Sequence, residues 1–539
     1  MRDRIDARAR TAAVVWLLLT LAACHAGGYG RGEAHVLRIA DNVDPSSLNP
    51  LLAHDQDTIG YDLLVTQTLV GLSAANRLEP VLVTAVPSRA NGGISPDGRT
   101  IVYHLRRNVR FADGMPLTSA DVAFTYRAIV DPRNPVESQD AYRRIAWLRT
   151  PDSRTVVIRL KKRWNAAVSE LFAQADFAFG ILPAHAFAST DVTRSPWNQH
   201  PFGTGPFRVV QWRRDDRIVL EPNPYYRPRP KLRRIVFALI PTTQASLIAL
   251  RSGEVDVAEI NPAELPDARG IAGVKVVVTP VNGEYMLTLQ TAAPPTDDVA
   301  VRAAISDAID RTEVARRGFG ALTPADSFLP PVLPWHDSAP DSTHAHLARL
   351  ATELRADGWQ RVGGWWTKDG HRLSVTIDLE PLRGQWMQVV EQEQLRRAGI
   401  EARLKTFATT QFNAPGGPLR SGRFTVAANQ WIGAADPEQS VIFACSQRGS
   451  DGNNNSNYCS PRFDALFADQ ATTDSQARRR SDFIEMQRLI RRDVPIVPIA
   501  FQSNVDAISD RVTGFARNML MYPVDAASWD TVTAPRATE

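Results

Sequence analysis

The chain has 539 residues, of which 44% are hydrophobic and 22% are charged, and its formal net charge is +4 at pH 7. This composition is ordinary for a globular protein, and so small a net charge gives no reason to expect nucleic acid as a partner. A mature chain of about 500 residues exceeds what a single hydrophobic core fills, so at least two domains are expected.

Residues 1–23 are predicted to form a secretory signal peptide. Four arginines precede an apolar run from Ala12 to Ala23, and this run is shorter than the roughly 20 residues of a membrane-spanning helix. It ends in Leu21-Ala22-Ala23-Cys24, which resembles the bacterial lipobox, a signal in which the cysteine is lipidated. We therefore expect a lipid on Cys24 as the only membrane anchor, followed by a flexible tether over 24–34. An ordinary signal peptide with an incidental cysteine is the alternative.

The stretch from Ser95 to Ile129 combines two turns, a strand and a helix. Pro96-Asp97-Gly98 predicts a tight turn, because proline presets φ and glycine tolerates a positive φ. Thr100 to Leu105 alternates β-favouring residues and predicts a strand. After a second turn, Thr118 or Ser119 can cap a helix.

Strands and helices alternate along the rest of the chain, which favours an α/β fold. The segments that predict strands are Val36–Ala40, Thr155–Leu160, Ile235–Ile240, Tyr285–Gln290, His371–Leu379, Phe424–Gln430 and Pro495–Ala500. The segments that predict helices are Val299–Val314, Ala345–Ala356, Gln385–Ala398, Phe463–Ala468 and Arg480–Arg491. Two prolines in Pro495–Ala500 indicate a strand at a sheet edge or at a crossing between domains.

In order and spacing, these elements resemble the family 5 extracellular solute-binding proteins, the dipeptide- and oligopeptide-binding proteins of ABC importers. Ser95–Ile129 carries the longest match, and the resemblance runs from about Val36 to Asn518. Further matching elements are Gly203-Thr204-Gly205-Pro206-Phe207, Asn223-Pro224-Tyr225-Tyr226, the helix Val299–Val314 and Trp431–Pro437.

The resemblance implies an α/β, two-lobed periplasmic-binding-protein fold of the class II type, with a central cleft and hinge strands. Residues 35–281 are expected to form lobe one with an extra subdomain, 282–504 lobe two, and 505–539 a return to lobe one. The implied function is capture of short peptides in the cleft and delivery to a membrane permease served by a separate ATPase. We expect a monomer without a cofactor, in the periplasm or on the outer face of the cytoplasmic membrane.

The resemblance also implies ligand-binding residues. Asp436 falls where peptide binders hold the ligand's α-ammonium group, a charge-assisted hydrogen bond worth about 1.5–3 kcal/mol; a plain turn residue is the alternative. Arg383 falls where dipeptide binders place an arginine for the terminal carboxylate, although a solvated arginine also fits. Trp431, as a pocket wall or a core residue, and Tyr285 complete the candidates.

Cys445 and Cys459 are the two cysteines other than Cys24. In an exported chain, a pair this close is expected to form a disulfide, which would stabilise the loop by about 3 kcal/mol in the chain-entropy model. The dipeptide binders of the resembled family have a similar short loop here. A metal site is the alternative, but the segment supplies no further histidine or cysteine ligands. His344 and His346 are interpreted as surface residues, so no metal site is predicted.

The sequence gives no support for an enzyme, because it lacks GxSxG, HExxH and a Walker lysine loop. Within the binding hypothesis, nickel, haem, sugar or opine ligands remain alternatives, since the resembled family binds all of these. A secreted hydrolase on an unfamiliar fold is the alternative from another class. A transcription regulator would need a helix-turn-helix head where this chain has a signal peptide.

Overall fold

The structure, a computed structural model, describes residues 32–52, 56–136, 139–175, 178–188, 191–380, 385–414, 416–437, 439–449 and 452–533. The signal peptide, Cys24 and Arg383 lie outside these residues, so the expectations for them stay predictions. In the part of the chain that is described, no helix is both long enough and apolar enough to cross a membrane.

The described strands are numbered in chain order. They are β1 Val36–Asp41, β2 Val70–Leu72, β3 Leu78–Pro80, β4 Thr100–His104, β5 Ile145–Asp152, β6 Thr155–Leu160, β7 Phe207–Arg213, β8 Arg217–Pro222, β9 Arg234–Leu239, β10 Val257–Glu259, β11 Val274–Leu289, β12 Thr323–Pro324, β13 Gln360–Val362, β14 Trp365–Lys368, β15 His371–Arg372, β16 Ser374–Leu379, β17 Glu401–Thr406, β18 Val426–Ile432, β19 Ile496–Ser509, β20 Val512–Thr513 and β21 Asp530–Thr531.

The described α-helices vary from single turns to five turns. They are Gln56–Val65, Ser119–Val130, Asp140–Arg143, Ala167–Glu170, Thr243–Arg251, Leu265–Arg269, Val299–Ala308, Arg311–Arg316, Leu347–Ala356, Trp386–Ala398, Thr409–Phe412, Pro418–Ser421, Pro461–Thr472 and Gln476–Asp493.

One mixed sheet of 11 strands runs through the whole molecule. Its order is β17-β16-β18-β11-β19-β10-β1-β9-β8-β7, with β12 paired to β19. The long strands β11 and β19 are antiparallel to each other and lie at the centre, with β18 on one side and β10 on the other. This central pair joins the two lobes, because the strands on its two sides belong to separate hydrophobic cores.

The two prolines of Pro495–Ala500 predicted a strand at a sheet edge or at a crossing between domains. Strand β19 is the crossing strand. Pro498 lies inside it and has no N–H to donate to a neighbour. The register with β11 shifts at this point, since Tyr285 pairs with Ala500 and Met286 with Pro498. The resulting bulge leaves Ile499 between the two pairs and accommodates the proline in an interior strand.

The predicted helix Val299–Val314 is divided in two. Its first part ends at Ala308, and a second helix begins at Arg311. Asp310 caps this second helix, because its Oδ1 accepts a hydrogen bond from the Glu313 N–H at 2.9 Å. The 3.6-residue apolar pattern continues through the break, so it did not reveal the aspartate as a new N-cap.

A separate subdomain packs the three-stranded sheet β4-β6-β5 against the helix Ser119–Val130. The inner face of the sheet contributes Ile101, Tyr103, Val156 and Ile158 to a buried core. Strand β5 is an outer strand, and most of its residues are exposed.

Cys445 and Cys459 form the predicted disulfide, with their Cα atoms 4.6 Å apart. The loop between them is fixed to its surroundings on one side, because the Tyr458 hydroxyl donates to Asp493 Oδ2 at 2.7 Å. Asn454 also donates from Nδ2 to the carbonyl oxygens of Ala444 and Tyr458. These hydrogen bonds hold the loop in place, because the segment has few apolar side chains that could pack into a core.

Candidate ligand-binding site

A cavity with a volume of about 850 Å³ lies where the two lobes meet. Cavities that bind small molecules have volumes of about 300–1,000 Å³. Lobe one contributes the residues after β1, the start of the helix Thr243–Arg251 and the segment Glu259–Asn261. Lobe two contributes Glu380, Thr409 and Asn413, β18 contributes Gln430 and Ile432, and β19 contributes Gln502.

Asp41, Glu259 and Arg517 line the cavity. Together with Asp506, which contacts Arg517, they form a group that we name the acidic wall. Glu259 and Asp506 are direct partners across β10 and β19. Arg517 approaches both, with Nη2 3.6 Å from Glu259 Oε2 and Nε 3.4 Å from Asp506 Oδ1. With Asp41 at the end of β1, the acidic wall has more negative than positive groups.

Burial is the main cause of an altered pKa at two of these carboxyls. It raises the pKa of Asp41 to about 6, and the charge of Glu259 adds to the effect. Hydrogen bonds from Tyr61 and from the Val43 N–H oppose this increase. Burial likewise raises the pKa of Asp506 to about 6, against the attraction of Arg517. The site therefore holds negative charge where water solvates it poorly, which favours binding of a cationic group.

Glu380 lies on the lobe-two side of the same cavity, directly after β16. Asn413 Nδ2 donates to its Oε2 at 2.9 Å. Burial raises the pKa of Glu380, and hydrogen bonds from Thr409 and Asn413 oppose the increase. Acidic groups thus face the cavity from both lobes.

One strand presents an open edge beside the cavity. The pairing of β16 with β18 covers only Val426 to Ala428, whereas β18 continues to Ile432. Along Asn429–Ile432, no described strand pairs with β18 on the β16 side, and Gln430 and Ile432 line the cavity. Backbone groups on such an edge can pair with an extended ligand.

Asp436 is not among the residues that line the cavity and forms an ion pair with Arg479. Arg479 is buried, and its Nη1 donates to Asp436 Oδ2 at 2.9 Å while its Nη2 donates to Oδ1. The same guanidinium lies 4.9 Å from the centre of the Trp335 ring. Asp436 thus compensates a buried positive charge, and its role as a ligand anchor stays a prediction.

Trp431 and Tyr285 belong to the central sheet but are not among the residues that line the cavity. Trp431 packs against the hydrophobic cluster that contains Met286 and Phe328, and Tyr285 packs against the core of lobe two. Successive side chains of a strand point to opposite faces. The residues before and after Trp431 therefore line the cavity, while Trp431 itself does not.

Sequence reasoning missed the acidic wall and Glu380. A signal was present, because Asp41, Glu259 and Glu380 each follow or end an apolar strand. In an α/β sheet, polar residues at strand ends are candidates for a binding crevice. What the sequence lacked was the topology that brings these strand ends to one cavity.

The sequence model of "Bacterial extracellular solute-binding proteins, family 5 Middle" matches residues 77–453. The chain belongs to this family. Family 5 proteins are the solute-binding proteins of ABC importers, and the chain is a substrate-binding protein of that kind.

Individual relatives are similar over nearly their whole length. The probable di/tripeptide-binding protein 5 of Pseudomonas aeruginosa is 26% identical over 491 residues, covering 86% of this chain and 91% of that protein. The oligopeptide-binding protein AppA of Bacillus subtilis, solved with a nonapeptide, has a TM-score of 0.78 at 20% identity and covers 94% of this chain and 99% of that one. NikA of Brucella suis, solved with Fe(III)-EDTA, has a TM-score of 0.81 at 20% identity, covering 92% and 99%. The two structures establish the two-lobed fold.

Proposed function

We propose that this family 5 protein captures short peptides with a free amino terminus in its interlobe cavity. It then delivers them to a membrane permease that works with a separate ATPase, while a lipid on Cys24 holds it at the outer face of the cytoplasmic membrane. The observation that supports a peptide ligand is the acidic wall, whose residues Asp41 and Glu259 line the same cavity as Gln430 and Ile432 on the open edge of β18.

The acidic wall supplies the partner for the peptide's α-ammonium group. Asp41 and Glu259 both line the cavity, and Arg517 neutralises only part of the local negative charge. A charge-assisted hydrogen bond to a carboxylate in a partly desolvated cavity contributes about 1.5–3 kcal/mol. A peptide with a free amino terminus would therefore place that end at lobe one.

The open edge of β18 supplies the partners for the peptide backbone. A peptide that extends along Asn429–Ile432 can exchange backbone hydrogen bonds with the strand, which gives affinity with little dependence on side chains. Amide side chains surround the same space and can bond peptide groups that the strand does not reach. They are Asn42, Gln244, Asn261, Asn413, Gln430 and Gln502.

Two relatives support a peptide ligand by what their descriptions state. One is named a di/tripeptide-binding protein, and the other was solved with a nonapeptide bound. In this proposal Arg383 takes the peptide's terminal carboxylate, because it falls in the sequence where dipeptide binders place an arginine for that group. Lobe one then comprises residues 35–281 and 505–539, and lobe two comprises residues 282–504. The central position of β11 and β19 in the sheet supports this division.

The test is calorimetric titration of a tripeptide and its N-acetylated form into Glu259→Gln and Asp436→Asn. We expect Glu259→Gln to weaken the free tripeptide roughly 10- to 100-fold and to leave the acetylated peptide nearly unchanged, because both changes delete the same contact. Asp436→Asn is expected to lower stability, since it leaves Arg479 without its anionic partner.

Glu254→Gln is the matched control, because Glu254 is exposed on lobe one and undergoes the same chemical change. Absence of tripeptide binding by the unaltered protein would refute the peptide ligand. If Asp436→Asn, and not Glu259→Gln, removed the preference for a free amino terminus, the anchor would be Asp436.

A further inference from the structure

Positive charge is concentrated in one hairpin of the subdomain. Residues 143–163, which we name the basic hairpin, contain eight arginines and lysines and a single acidic residue, Asp152. The whole chain has a net charge of only +4. The remainder of the chain is therefore negative overall, and the basic hairpin is a local exception to it.

The hairpin lies at the surface of the subdomain and includes an exposed aromatic ring. Its first strand, β5, is the outer strand of the sheet β4-β6-β5. Trp147 on this strand is 36% exposed, and the Arg149 guanidinium lies 4.5 Å from the centre of its ring. An indole next to arginine is a typical combination at the boundary between a membrane and water.

Some of the charges in the basic hairpin are already paired. Arg159 contacts Asp97 at 2.8 Å, and Arg163 contacts Asp474. Arg143 lies 3.9 Å from Asp140. These pairs hold the hairpin to its own subdomain and, through Arg163, to the segment before the helix Gln476–Asp493.

Four further charges remain available to a partner. Arg149, Arg154, Lys161 and Lys162 are exposed, and none forms a salt bridge with another described residue. The only carboxylate of the hairpin, Asp152, accepts hydrogen bonds from the backbone N–H groups of Arg154 and Thr155. It shapes the turn between β5 and β6.

Backbone pairing brings the two ends of the hairpin together. The Lys161 N–H donates to the Arg144 carbonyl oxygen at 2.8 Å, and Ile145 pairs with Leu160 in the sheet. Lys161 and Lys162 therefore lie next to Arg143 and Arg144. Positive charge is thus grouped at this end of the hairpin, and Trp147 and Arg149 follow further along β5.

We propose that the basic hairpin docks on the anionic phospholipid headgroups of the membrane that carries the permease. Charge complementarity supports this occupant, since each lysine or arginine near an anionic bilayer adds to the attraction, and Trp147 can enter the headgroup region. A nucleic acid has the same charge, but the family is extracellular. This docking does not depend on which solute the cavity binds.

The test is cosedimentation of the chain from residue 25 onward, which contains every described residue and lacks Cys24. The vesicles are phosphatidylcholine with about one third phosphatidylglycerol, against pure phosphatidylcholine. We expect binding to the anionic vesicles at low salt, its loss at high salt, and little binding to the neutral ones. Replacing Arg149, Lys161 and Lys162 by glutamine should weaken binding roughly 100-fold.

Arg208→Gln, Arg251→Gln and Arg269→Gln together are the matched control, because these exposed arginines lie outside the basic hairpin and their replacement changes the net charge equally. The control triple is expected to bind like the unaltered protein, and Trp147→Ser to bind several-fold more weakly. Equal losses in the two triples, or no binding of the unaltered protein to anionic vesicles, would overturn the proposal. So would binding to a single-stranded oligonucleotide without binding to vesicles.

Discussion

Asp41 lines the ligand cavity. Burial raises the pKa of its carboxyl to about 6. As the pH falls from about 7 to about 5, this carboxyl becomes mostly protonated and can no longer attract an ammonium group. We expect the affinity for a tripeptide with a free amino terminus to fall roughly tenfold over this range. Calorimetric titration at both pH values measures it.

The N-acetylated tripeptide provides the control, because it carries no ammonium group and should bind with nearly the same affinity at both pH values. Asp41→Asn should flatten the pH dependence of the free tripeptide. An unchanged pH dependence in Asp41→Asn would mean that another group, such as Asp506, is responsible.

Glu391 is a buried carboxyl in the helix Trp386–Ala398, and burial raises its pKa to about 8. The folded protein holds a proton that the unfolded chain releases above its ordinary pKa of about 4.5. Stability therefore decreases as the pH rises from about 4.5 to about 8, by on the order of 3 kcal/mol at pH 7. Glu391→Met is expected to be more stable than the unaltered protein at neutral pH, with a flatter pH dependence.

Denaturant unfolding at about pH 5 and about pH 7 measures this effect. Glu393→Gln is the control, since Glu393 is half-exposed in the same helix and pairs with Arg396. Surface pairs of this kind contribute about 0–1 kcal/mol. A Glu391→Met protein less stable than the unaltered one at pH 7 would show that the carboxyl has a favourable partner.

Single site residues were harder to predict than their strands. The motif from Trp431 to Pro437 pointed to Asp436, but Arg479, its ion-pair partner, belongs to a helix that packs there only in the folded protein. Asp41, Glu259 and Asp506 come from three separate strands. Their proximity is a property of the sheet order, which local patterns of charge and hydrophobicity do not contain.

At the scale of elements, the strands and helices with strong periodicity were predicted close to their observed bounds. Val36–Ala40 and Thr155–Leu160 correspond to β1 and β6, and Arg480–Arg491 lies within the helix Gln476–Asp493. Strand β11 begins at Val274, well before the predicted Tyr285. Its first half, Val274–Thr279, is rich in β-favouring valines, so the sequence carried a strand signal that the prediction missed. This half pairs with β19.

The loop closed by Cys445 and Cys459 provides a prediction at this scale. Replacing both cysteines by serine should lower the free energy of unfolding by about 3 kcal/mol, because the unfolded chain gains the entropy that the crosslink removes. Denaturant unfolding of the oxidised protein and the double variant measures the difference. The peptide affinity should change little, since neither cysteine lines the cavity. Equal stabilities would show that the loop is ordered by its hydrogen bonds alone.

At the scale of the whole molecule, β11 and β19 are shared by both lobes, so a relative motion of the lobes must bend this pair. Proteins of this kind close around their ligands. We expect the radius of gyration in solution scattering to decrease when a tripeptide binds. Ligand at about 1,000 times its Kd should also stabilise the fold by about 4 kcal/mol, seen as a higher melting temperature. A stabilised protein with an unchanged radius would indicate that the cavity is already closed.

The two ends of the described chain meet at one edge of lobe one. The His35 N–H donates to the Thr531 carbonyl oxygen at 2.9 Å, and the Thr531 hydroxyl donates to the Val36 carbonyl oxygen at 3.1 Å. The two ends are therefore adjacent, and a short glycine-serine linker between them would close the chain into a ring. The exposed turn at Gly363–Gly364, between β13 and β14, is then a natural place to open the ring. Circular permutation there would move the free termini from lobe one to lobe two and leave the cavity between them intact.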